Sequence, residues 1–137
     1  MKSAPFLDWV FERLVWVLVS EKWVVKIRNF KESKNKYEQN YWGLTVPDEE
    51  GGGGVIYLDR NYGTPKILIH ELCHAVFGDI LDDEARDRNK TKKEIDEWSE
   101  YQTLMFEDYF YECLSARQKK ILKTFVDRAK TDRAWNL

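Results

Sequence analysis

The chain has 137 residues, enough for one compact domain around one core. Hydrophobic residues make up 43% of it and aromatics 15%, which excludes a disordered chain. Its 22 basic and 24 acidic residues nearly cancel to a net charge of −2, so nothing draws it to nucleic acid or an anionic membrane.

The predicted elements begin with a helix over Ser3 to Ser20, where Phe6, Trp9, Val10, Leu14, Val17 and Leu18 follow mostly helical spacing. Ser3 is a candidate N-cap, and Pro5 sits near the first turn, where its missing N–H costs nothing. Asp8, Glu12 and Arg13 interrupt the apolar run, which argues against a secretory segment or a membrane span. The pattern then changes. Lys22 to Phe30 is rich in β-branched and aromatic residues and reads as a strand. The charged stretch Lys31 to Glu38 reads as a loop. Tyr41 to Val46 is a second strand, closed by Pro47, and Val55 to Asp59 a third. The glycines of Asp48 to Gly54 connect them. No Lys-Ser/Thr follows, so this is not a phosphate loop. Short connections suggest an antiparallel meander.

Thr64-Pro65 opens the next helix, which runs toward Leu81, and the charged residues Asp82 to Lys90 read as a loop or short helical turn. Thr91 and Glu94 form a capping box that starts a long helix reaching about Leu114. Ser115 caps a last helix to about Lys130. The expected fold class is α+β: an N-terminal helix, a small three-stranded, mostly antiparallel sheet, and three further helices. Cys73 and Cys113 are too few for a disulfide framework, and a reduced thiol at Cys73 points to the cytoplasm.

Chemistry concentrates in Ile69-His70-Glu71-Leu72-Cys73-His74-Ala75. Residues four apart share a helical face, so His70 and His74 can present ring nitrogens to one Zn²⁺. Glu71 borders that face and can take a proton from a zinc-bound water. The chain has only two histidines, and both lie in this motif. Chance would place them so, with Glu in its slot, on the order of 1 in 700 times. A catalytic zinc site uses three protein ligands. With no third histidine, the third must be a carboxylate or Cys, and the following helix supplies Asp96, Glu97, Glu100 and Glu107. Glu100 is the first choice and Glu97 the alternative. Glu100 lies opposite an apolar face set by Ile95, Trp98, Met105 and Tyr109, and Glu97 is closer in sequence to His74.

The motif, followed by the acidic helix Asp96-Glu97-Trp98-Ser99-Glu100, resembles the gluzincin metallopeptidases, and the size resembles the minigluzincins. The specific likeness covers about Val55 to Leu114. It implies one zincin-like catalytic domain over residues 1–137, with His70, His74 and a glutamate holding Zn²⁺ and Glu71 activating water. The family pattern places an Asp four residues after the glutamate. Here Tyr101 or Leu104 stands there, so His70 needs another acceptor. The resemblance also implies that residues 115–137 could cover the cleft and keep the enzyme latent.

The expected function is zinc-dependent hydrolysis of peptide bonds by a monomer. A peptide or protein substrate would lie along an edge strand, with Val55 to Asp59 the candidate. Tyr57 or Tyr62 could stabilise an oxyanion, although packed aromatics are the commoner use. The competing reading is a catalytically silent binding or regulatory protein. It would not need Glu71, and an intact Glu71 favours the enzyme.

Overall fold

The computed structural model describes residues 5–30, 42–86 and 91–132. Among them the chain is α+β. Helix α1 (Pro5–Val19) is followed by strands β1 (Trp23–Arg28), β2 (Gly43–Pro47) and β3 (Gly54–Asp59), then helices α2 (Pro65–Arg86), α3 (Lys92–Cys113) and α4 (Ala116–Thr131). The proposed Ser3 cap and the loop at Lys31 to Glu38 lie outside the described residues.

The expected meander is not what forms. The sheet order is β1-β3-β2, so β3 is central, parallel to β1 and antiparallel to β2. Burial explains this order. In β3, Ile56 and Leu58 are fully buried, as suits a strand flanked on both sides, whereas β2 ends in exposed residues and in Pro47, which donates no ladder hydrogen bond. The glycine segment is the β2–β3 hairpin turn. Asp48 N–H donates to Gly53 O at 2.8 Å, and Gly51 and Gly52 take φ of +80° and +83°.

Three helix starts follow their capping chemistry. The Ile67 N–H donates to Thr64 Oγ1 at 3.3 Å. Thr91 with Glu94, and Ser115 with Gln118, form reciprocal capping boxes. Helix α2 passes through Gly78 and continues to Arg86, so of the two readings of this stretch, loop or short helical turn, residues 82–86 are helical, and residues 87–90 lie outside the described residues.

The core joins Val10, Leu14 and Leu18 of α1 and Trp23, Val25 and Ile27 of β1 to Leu68, Ile69 and Leu72 of α2. Helix α4 adds Leu122, Val126 and Ala129, and Gln118 donates to Asp8 of α1 at 2.9 Å. The C-terminal helix is therefore part of the core. Helix α1 buries one stripe and leaves Phe6, Trp9 and Trp16 exposed, a narrower burial than its broad apolar face suggests.

The β3–α2 connection is set by Asp59, which is 2% exposed. Its carboxylate accepts from the backbone N–H groups of Phe30 at 3.1 Å, and of Asn61 and Tyr62 at 2.9 Å each. This ties the end of β1 to the turn that aims α2. Asp59→Ala would strand these donors, and a loss of about 3 kcal/mol in unfolding free energy is expected by urea titration. A loss within about 0.5 kcal/mol would show that water replaces the carboxylate.

Candidate metal centre

Helix α2 has two working faces. Leu68, Ile69, Leu72 and Cys73 enter the core, while His70, Glu71 and His74 turn toward a cleft of about 1020 Å³. One ligand atom from each of His70, Glu71 and His74 lies within 4.8 Å of the others, a group that could hold a metal ion. The cleft walls include Trp16 of α1, Thr45 of β2, and Glu97, Glu100 and Tyr101 of α3. No described residue of α4 lines it, and residues 133–137 of the segment expected to cover the cleft lie outside the described residues.

Helix α3 faces α2 with a polar stripe. Its buried positions are Ser99, Thr103, Glu107 and Phe110, spaced by three or four residues. The small side chains of Ser99 and Thr103 let the helices approach, and Thr103 satisfies its own hydroxyl on Ser99 O at 2.8 Å. Lys66 of α2 pairs with Asp108 at 2.7 Å beside the same interface.

This stripe brings two carboxylates to the histidines. Glu100 Oε1 lies 2.9 Å from His70 Nε2, and Glu100 Oε2 lies 2.9 Å from His74 Nε2. The two Nε2 atoms are 3.2 Å apart. On the far side of the first imidazole, His70 Nδ1 donates to Glu107 Oε2 at 2.8 Å, which directs Nε2 into the cleft. Glu97 is elsewhere. It is exposed and lies 3.9 Å from Lys93 on its own helix.

The electrostatics follow from this packing. Burial opposes a charge on His70, but hydrogen bonds to Glu100 and Glu107 outweigh it and push the imidazole up to about 10. Burial likewise opposes a charge on Glu100, yet its bonds to His70 and His74 hold it down to about 2. Glu71 is 5% exposed, and burial raises its carboxyl, opposed by His74, His70 and a hydrogen bond from Thr45. Burial also raises the Cys73 thiol, consistent with a packed, unreactive side chain.

Glu107 is the residue whose role was misplaced in the sequence. It stands among the candidate metal ligands but orients His70 instead, two helical turns beyond Glu100. The expected alignment of substrate along Val55 to Asp59 also fails, because β3 is the central strand. Among the described residues, strand β2 is an edge, and it borders the cleft. Neither Tyr57 nor Tyr62 lines the cleft; Tyr62 packs on Trp42 with ring centroids 4.3 Å apart. Among the described residues, no helix is long and apolar enough to cross a membrane. The chain matches no protein-family model, no curated protein and no solved structure.

Proposed function

We propose that the chain is a zinc metallopeptidase of gluzincin type, with His70, His74 and Glu100 as metal ligands and Glu71 as general base. The observation that carries this reading is the Glu100 carboxylate, set across both Nε2 atoms at 2.9 Å each. Three ligands around a tetrahedral zinc, at roughly 2.0–2.1 Å, stand roughly 3.3 Å from one another. The separations of 2.9, 2.9 and 3.2 Å are those of a compact three-donor cradle that a small cation fits with slight expansion. Two imidazoles and a carboxylate suit zinc by donor type, and the Glu107–His70 pair supplies the outer partner that such a site uses.

Zinc, when bound, polarises the scissile carbonyl and acidifies water. The chain does the rest. An extended peptide pairs with the outer edge of β2, which places its backbone beside Glu71. Glu71 accepts a proton from the attacking water as its oxygen joins the carbonyl carbon. The same carboxyl returns that proton to the amine as the C–N bond breaks.

Metal analysis of the purified full chain tests the ligand set. About one zinc per chain is expected. His70→Ala and Glu100→Ala should lose it, and Glu97→Ala should retain it. Absence of metal in the unmodified protein after zinc addition would remove the enzyme and favour a binding protein. Loss in Glu97→Ala with retention in Glu100→Ala would overturn the ligand assignment.

A further inference from the structure

Strand β2 is shaped around Glu71 at two positions on one face. At Gly43, an added Cβ would lie 2.8 Å from Glu71 Cγ, 3.1 Å from its Cδ and 2.9 Å from Ile67 Cγ2. Only a residue without a side chain leaves room there for the glutamate stem. Two residues on, Thr45 Oγ1 lies 2.9 Å from Glu71 Oε1 and 3.0 Å from the Glu71 carbonyl oxygen. The strand vacates space for the stem and supplies a donor for the head.

A buried carboxylate needs such a donor. Its three side-chain torsions also give it several orientations, and ordering them carries an entropy cost. The hydroxyl has one proton, which lies between the Glu71 carbonyl oxygen and Oε1; directed to Oε1 it selects one orientation of the carboxylate. One carboxylate oxygen of Glu71 then stays within 4.8 Å of the histidine ligand nitrogens, where a proton must be collected.

We propose that Thr45 is a positioning residue that holds the Glu71 carboxylate in its proton-accepting orientation, with Gly43 providing the space for it. The contact stands on the geometry alone, and its catalytic consequence rests on the peptidase reading above.

The test compares Thr45→Val, which keeps the shape and removes the hydroxyl, with Thr45→Ser, which restores it, in the full chain loaded with zinc. The first readout is the 13C signal of the Glu71 carboxyl carbon, identified by its disappearance in Glu71→Gln. It should move or broaden in Thr45→Val and return in Thr45→Ser. The second is kinetic: kcat should fall about 10- to 100-fold in Thr45→Val, with KM and zinc content unchanged and most activity restored by Ser. Gly43→Ala keeps the hydroxyl but displaces the glutamate stem, and should lower kcat in the same way. If Thr45→Val does not fold, Thr45→Ala replaces it. An unmoved carbon signal, an unchanged kcat, or a Ser variant as impaired as Val would overturn the proposal. If the unmodified chain cleaves no peptide, the peptidase reading falls, and the carbon signal alone decides whether Thr45 holds Glu71.

Discussion

Glu71→Gln is expected to reduce peptide hydrolysis by about 10²–10⁴-fold, which corresponds to roughly 3–5 kcal/mol of activation barrier, while leaving zinc content unchanged. The amide has nearly the shape of the carboxylate, and its oxygen can still accept from Thr45, which donates to Glu71 Oε1 at 2.9 Å. What it loses is the capacity to take a proton. Metal retention is expected because the three closest donors are His70 Nε2, His74 Nε2 and the Glu100 carboxylate. The assay uses the full chain. Truncation after Leu114 would remove Leu122 and Val126, which are 0% and 2% exposed, from the core and report on folding instead. A Gln variant as active as the unmodified protein would exclude Glu71 as the base. A variant that loses zinc would place Glu71 among the ligands.

The motif helix was legible because its chemistry is local. His70, Glu71 and His74 sit within about one turn of helix, and the Thr64, Thr91 and Ser115 caps are each written within four residues. The choice between Glu100 and Glu97 depends on the rotation of α3 about its axis, and there hydrophobic pattern gave partial guidance. It placed Glu100 opposite Met105 and Tyr109, and those residues prove to be 56% and 65% exposed. Ile95 and Trp98 of that apolar face are half-buried, and the buried side of α3 carries Ser99, Thr103 and Glu107 with Phe110. Tyr101 and Tyr109 are therefore surface residues, not the core aromatics their type suggests. Strand order was illegible for a different reason. Pairing is non-local, although the continuous apolar run Val55 to Leu58 is the signal of a central strand. The spacing of Leu122, Val126 and Ala129 marks the buried stripe of α4. Gly43 and Thr45 carry no local sign of their relation to Glu71, which lies 26 residues beyond Thr45.

Zinc affinity is expected to fall about 100-fold between pH 8 and pH 6 through His70 alone. In the metal-free protein, hydrogen bonds to Glu100 and Glu107 outweigh burial and raise this imidazole from its ordinary 6.5 to about 10. Metal needs His70 Nε2 unprotonated, so each pH unit below about 10 weakens binding by about a factor of ten. Glu100, held down to about 2 by the two histidines, stays ionised across this range and adds no pH dependence. Folding of the metal-free chain has the opposite trend. The raised His70 stabilises it fully below 6.5, and that contribution disappears as pH rises through about 10. The lowered Glu100 stabilises it above 4.5, and that contribution is lost as pH falls toward 2. Thermal unfolding should thus show the metal-free chain gaining least from zinc in mildly acidic solution and most in alkaline solution. Calorimetric titration at pH 7, in two buffers of different ionisation enthalpy, should detect about one proton released from His70 per zinc bound. Affinity that is flat from pH 6 to pH 8, with no proton release, would mean that His70 is neutral before metal arrives and that Glu100 and Glu107 do not charge it. Glu107→Gln separates the two carboxylates. It removes one of the charges that raise His70, so the release measured near pH 8 should shrink while that measured near pH 6 persists.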